Sequence, residues 1–140
     1  MLEAVLDWLY PPKCCLCHRI GRDAICDSCL KEFVPASSQL ESPAGVDQVF
    51  ALFIYEGRAS QAVKELKFGR VTSLARPMAE QMARFAGERG FFECGVIVPI
   101  PVSPGREHER GFSQAVLLAE SMPNEYIDHG LLKRTRYTRP

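Results

Sequence analysis

Apolar and polar positions recur with two different periods along this chain, and each period predicts a different element. Leu2, Val5, Leu6 and Leu9 share one helical face over residues 1–10, with Trp8 beside it, the spacing of a short amphipathic helix that packs on protein. Residues 27–33 read as a second short helix. The unbroken run Val-Phe-Ala-Leu-Phe-Ile inside residues 46–55 predicts a strand of the buried type, ended by Glu56 and Gly57. Ala59, Ala62, Val63 and Leu66 then fall on one helical face, and Lys67-Phe68-Gly69-Arg70 ends that helix with cations and a glycine. Thr72 or Ser73 can cap the next helix, where Leu74, Met78, Met82 and Phe85 lie on or near one face and Pro77 falls in the first turn. A second buried strand over 95–101 leads into a polar loop at 103–114, a helix over 113–121 and a short third strand around 126–132. Strand, helix, helix, strand, loop, helix is the order of an α/β domain with a parallel sheet.

Serines and prolines concentrate at 35–45, which reads as a linker between a module at 1–34 and a domain at 46–140. At 140 residues and 46% apolar content the chain is long enough for one domain plus a small metal-stapled module. Its apolar stretches fall well short of the roughly 18 residues that cross a membrane. No basic, apolar, small-residue signal peptide opens the sequence, so a reducing, cytoplasmic setting is expected. Formal charge sums to zero but is unevenly placed: residues 1–57 carry 4 basic and 8 acidic side chains, residues 58–140 carry 13 and 9. A polyanion would meet the second part first.

Four cysteines form two tight pairs, Cys14 with Cys17 and Cys26 with Cys29, eight residues apart. A C-x-x-C turn brings two thiolates to one side of a loop, and two such turns supply the four sulfurs of a closed tetrahedral zinc site, structural because no ligand position is open. Three other chemistries use the same residues. Disulfides need an oxidising compartment. Cys14 to His18 spells C-x-x-C-H, the haem attachment pattern, but a second C-x-x-C so close by is unexplained under it. A redox dithiol needs a strand before its motif, and Tyr10-Pro11-Pro12-Lys13 is no strand. Cys15 reads as a spare thiol beside the set and Cys94 as a small buried residue.

Ligands of open α/β sheets bind beyond the carboxyl ends of the strands, where this chain carries residues 103–114. Arg106 and Arg110 offer forked donors suited to phosphate or pyrophosphate, Gly111 permits close backbone approach, and Ser113 starts a helix. A solvated loop with Glu107 and Glu109 neutralising both arginines is the competing reading, as is a solvated His108.

Val98-Pro-Ile-Pro101, Arg106, then Arg110-Gly-Phe-Ser-Gln-Ala115 with Leu117-Leu-Ala119, resembles the ComF family of competence-associated, phosphoribosyltransferase-like proteins. The four paired cysteines, Tyr55, Leu66-Lys67-Phe68 and Leu132-Lys-Arg-Thr-Arg-Tyr-Thr138 match further family segments in the same order. The resemblance implies a zinc-ribbon-like module followed by the amino-terminal part of a type I phosphoribosyltransferase-like parallel-sheet domain. It also implies a pyrophosphate or nucleotide ligand held by Lys67, Arg106, Arg110, Gly111, Ser113 and Gln114. Ser113 stands where the family usually has asparagine, and the Asp-Asp-x-x-Thr-Thr-Gly loop that grips ribose phosphate does not occur before Pro140. Phosphoribosyl pyrophosphate with Mg is therefore expected only where another chain supplies that loop, and the uncovered sheet edge is expected to favour association.

Three functions follow from this resemblance and the residues beside it. The first is a DNA-uptake protein that binds single-stranded DNA or a phosphoribosyl or nucleotide ligand without turnover, alongside other competence or DNA-processing proteins. The second is a phosphoribosyltransferase completed by another chain, and the third a zinc-staple interaction module. Lys133, Arg134, Arg136 and Arg139 lie within seven residues with no acid among them, which suits a phosphate backbone, although Tyr137 alone is there to stack on bases.

Overall fold

The structure is a computed structural model that describes Trp8 and residues 10–36, 39–91, 95–122 and 126–135. Most of the helix expected over 1–10, Cys94, and Arg136 and Arg139 lie outside the described residues. The chain divides into two units, residues 1–64 and 65–140.

Hydrogen bonds close the first unit around its cysteines. Cys14 N–H donates to the Arg19 carbonyl and His18 N–H to the Cys14 carbonyl, both at 2.9 Å, so the first C-x-x-C folds back on itself. His18 takes the left-handed conformation at φ 59 that this reversal needs. Cys26 is extended and caps α1 (Asp27–Lys31), which carries Cys29 one turn later. Phe33, just beyond α1, is buried and meets Phe53 edge-on at 5.1 Å.

Residues 46–55 were expected as a strand of a parallel sheet. Their ladder is instead antiparallel and short: β1 (Gln39–Leu40) pairs with β2 (Val49–Phe50), and a further bridge joins Pro35 to Phe53. The run thus folds back on the segment just before it, which reads as a linker by composition. A single apolar run states that a strand is buried but not which neighbour it takes. Val46, Ile54 and Tyr55 remain exposed.

α2 (Gly57–Lys67) buries Ala59, Ala62 and Leu66, the face its periodicity predicts. Thr72–Leu74 forms a 3-10 turn that leads into α3 (Ala75–Gly87). The buried face of α3 is Ala75, Ala79 and Ala83, one position removed from the expected Met78 and Met82, and Met82 is exposed. Small side chains at i, i+4, i+8 let another helix approach closely, and α3 packs on α5 (Gln114–Glu120), where Ala119 is buried.

The polar loop expected at 103–114 is largely a helix, α4 (Pro104–Arg110). Ser103 is its extended N-cap residue, Pro104 opens the first turn, and Gly111 ends it at φ 82, where glycine alone carries no Cβ penalty. The strands expected at 95–101 and 126–132 meet at one parallel bridge, Ile97 with Ile127, where Ile97 N–H donates to the Tyr126 carbonyl at 2.8 Å and Asp128 N–H to the Ile97 carbonyl at 3.0 Å. No longer parallel ladder forms among the described residues.

Candidate metal centre and a basic cavity

Four sulfur atoms converge in the first unit. The Sγ atoms of Cys14, Cys17, Cys26 and Cys29 all lie within 4.8 Å of one another. Cys14 Sγ is 3.8 Å from Cys29 Sγ, and Cys17 Sγ is 3.6 Å from Cys26 Sγ. A regular tetrahedron with metal–sulfur bonds of roughly 2.3 Å has sulfur–sulfur edges of about 3.8 Å, so the two cross-pairs already stand at the spacing zinc requires. A covalent disulfide would bring two sulfurs to about 2.05 Å. Cys15 lies outside the cluster; its backbone N–H donates to the Ala24 carbonyl at 2.9 Å and ties the first cysteine turn to the second. His18 is exposed.

The electrostatics of the four thiols suit a cation. Burial pushes the Cys14 thiol up, but the backbone N–H groups of Cys26, Cys17 and Leu16 and the Cys17 thiol outweigh it and bring the pKa down to about 6. One of these donors is Cys26 N–H, 3.5 Å from Cys14 Sγ. Cys29 moves the other way, pushed up first by burial and then by the thiols of Cys17, Cys26 and Cys14 and the charge on Cys14. Both directions express one fact: without a cation, the pocket favours one thiolate and resists a second. A divalent ion reverses that resistance and holds all four as thiolates. The donor set, the sulfur spacing and the N–H groups aimed at sulfur fit zinc held by Cys14, Cys17, Cys26 and Cys29, a site with no ligand position open for catalysis.

Two side chains that the spacing of cysteines gave no reason to notice also reach this site. Arg58 Nη1 and Gln61 Nε2, both on α2, donate to the Leu16 carbonyl at 3.0 and 3.2 Å. Leu16 lies inside the first C-x-x-C.

In the second unit a cavity of about 760 Å³ is lined by Lys67, Arg70, Arg106 and Arg110, with Glu109 the single acid in its wall. Reading 103–114 as a loop hid why Arg106 and Arg110 should act together; on α4 they are four residues apart and share a face. Arg110 Nη1 donates to Gln114 Oε1 at 2.9 Å, and its guanidinium lies 5.2 Å from the centre of the exposed Phe68 ring. Arg70 Nη2 donates to the Glu109 carbonyl at 2.6 Å. Gly69 makes the turn between Lys67 and Arg70 feasible, since a Cβ there would fall 2.9 Å from the Glu65 carbonyl oxygen. Val102, Ala115 and Leu118 supply the apolar part of the wall.

Of the residues expected to hold a ligand, Lys67, Arg106, Arg110 and Gln114 meet in this cavity. Gly111 serves as the C-cap of α4, and Ser113 is the buried N-cap residue of α5. Phe68, Arg70 and Glu109 join the lining although they were not among the ligand residues expected from sequence. Gln114 is 7% exposed, and its Nε2 finds no hydrogen-bond acceptor, nor do the buried hydroxyls of Ser103 and Ser113 find partners. Of the basic run near the end, Lys133 and Arg134 are described, in irregular backbone.

A family description, the double zinc ribbon domain, matches residues 5–40. That stretch holds all four clustered cysteines and so supplies one complete four-sulfur set. It covers about a quarter of the chain. No curated protein and no solved structure matches the chain. No helix among the described residues is long and apolar enough to cross a membrane.

Proposed function

We propose that this chain is a zinc-stapled binding protein whose second unit takes a phosphate-bearing ligand, pyrophosphate or the phosphate end of a phosphoribosyl or nucleotide compound. The observation that carries this reading is the cavity wall: four cations against one carboxylate, with a buried amide donor beside them. Arg110 fixes the orientation of the Gln114 amide by donating to its oxygen, so Nε2 is left as a donor in want of an acceptor. A phosphate oxygen supplies that acceptor and neutralises the cations together. The likeness to ComF proteins supports the same reading, and Ile97 with Ile127 is one isolated parallel bridge. Handling of single-stranded DNA during uptake rests on that likeness and on the basic run at 133–139.

Calorimetric titration with pyrophosphate and with phosphoribosyl pyrophosphate tests the proposal. Both should bind with salt-sensitive affinity, and Arg106→Ala with Arg110→Ala should weaken binding about ten-fold or more. Phosphoribosyl transfer to a base acceptor is not expected from these 140 residues alone, because the carboxylates that would contact ribose are not among them. Unchanged affinity in the double variant would remove the cavity from consideration, and turnover would overturn the restriction to binding.

A further inference from the structure

Two cysteine turns make a tetrahedral site only if they keep their separation, and the structure contains a brace that spans both. Arg58 Nη1 and Gln61 Nε2 converge on the Leu16 carbonyl between Cys14 and Cys17. Arg58 Nε also reaches Glu32 Oε2 at 3.3 Å, and Glu32 is the residue that closes α1, the helix carrying Cys29. One guanidinium thus ties the turn of the first cysteine pair to the end of the second. Arg58 and Gln61 stand three residues apart on α2, and Arg58 Nη1 donates to Gln61 Oε1 at 2.8 Å, so each holds the other in place. Leu16 is 2% exposed, and a carbonyl in such surroundings is costly to leave unpaired.

We propose that Arg58 and Gln61 are positioning residues of the metal site, and that α2 is therefore part of the zinc-binding unit although it lies beyond the residues that match the ribbon description. Zinc retention and the order of α2 are linked, each strengthening the other by the same factor. The residues act through the Leu16 carbonyl and Glu32 and touch no metal ligand atom.

The full chain carrying Arg58→Ala and Gln61→Ala tests this. Alanine is the best helix former, so the substitutions do not weaken α2 itself, and circular dichroism of the zinc-loaded variant checks that. Zinc transfer to a chromophoric chelator should be about ten-fold or more faster than in wild type. Lys64→Ala, on the exposed side of the same helix, should release zinc at the wild-type rate. Amide hydrogen exchange over residues 61–64 gives a second readout: zinc loading should slow it in wild type and lose most of that effect in the double variant. A double variant that releases zinc at the wild-type rate, or whose α2 amides keep the full response to zinc, would overturn the proposal.

Discussion

Among the described residues, the buried apolar side chains of 1–64 are Cys14, Leu16, Ile25, Cys29, Phe33, Ala59 and Ala62, whereas those of 65–140 are Leu66, Leu74, Ala75, Ala79, Ala83 and Ala119. The first set includes two sulfurs of the metal site and three bulky side chains, while four of the six in the second are alanines. Alanine burial removes little apolar area from water, so the second unit relies on the close approach of α3 and α5 and on tight packing rather than on side-chain bulk. The first unit, with a two-residue ladder and a few buried apolar side chains, relies on the metal. Its cohesion is concentrated in one ion and four bonds, and the second unit's is spread over many small contacts. The two should therefore fail differently.

Removing the metal should have the largest effect. Binding of structural zinc is worth roughly 10–16 kcal/mol in small zinc modules, more than most domains have in total stability. A strong chelator, or Cys26→Ser, should abolish zinc stoichiometry and lower amide protection over residues 12–33, with the cysteine turns weakened rather than lost, while the amides of α3 keep theirs. Cys15→Ser should leave one zinc per chain. Elemental analysis and hydrogen exchange read both outcomes, and full zinc in Cys26→Ser would break the assignment of ligands.

The contrast also explains which parts of the molecule were legible in sequence. Chelation is a local code: Cys14, Cys17, Cys26 and Cys29 announce their site by spacing alone, and the structure brings their sulfurs together. The face of α2 was legible for the same reason, since Ala59, Ala62 and Leu66 need only the helical period. Partner choice is not local. The run from Val49 to Ile54 is as apolar as a central parallel strand, yet it pairs antiparallel with the chain just before it. The brace from Arg58 and Gln61 to Leu16 depends on contacts across more than forty positions and leaves no spacing signal. α4 is a different case: Ser103-Pro104 at its start and Gly111 past its end are recognisable boundary residues, and the charges between them drew attention away.

The second unit should be most sensitive where alanines meet. Ala79 is fully buried, and Ala79→Leu forces three extra carbons into the contact of α3 with α5, at a cost of about 1–3 kcal/mol. The stability read from denaturation of the helical signal should fall by that amount, with zinc content still one per chain. A variant that lost zinc instead would erase the distinction between the two kinds of cohesion.

Acid should act on the first unit through Cys14. Its thiol is held at about 6, below its ordinary value, so the stabilisation of its thiolate is present at high pH and is lost as pH falls through about 6. Above that pH zinc takes up an existing thiolate at Cys14, and below it the metal must displace a proton there. Zinc binding should therefore release up to one more proton at pH 5 than at pH 7, and zinc affinity should fall by up to a further factor of about ten for each pH unit below 6 on this account alone. Calorimetry in buffers of different ionisation enthalpy measures the proton count. No change in proton release between those two pH values would show that Cys14 is not the thiol the backbone N–H groups have prepared.

The smallest effect expected concerns charge rather than cohesion, and it sharpens the comparison at the level of function. The acidic excess of residues 1–57 and the basic excess of 58–140 would bring a polyanion to the later part of the chain, where Lys133, Arg134, Arg136 and Arg139 form the densest run of cations. If single-stranded DNA uses that run, three or four phosphates are neutralised, and the log–log salt slope should be about −2 to −3. Affinity should be modest and should fade between low and physiological salt, since Tyr137 is the single aromatic residue in the run. Fluorescence titration of labelled strands at several salt concentrations compares wild type with the chain in which all four cations are alanine. The slope should flatten by about 0.7 for each phosphate that is no longer neutralised. A quadruple variant that binds as tightly and with the same slope would move the DNA elsewhere on the protein, and competition with pyrophosphate would then distinguish the basic cavity, proposed above as the pyrophosphate site, from the zinc module.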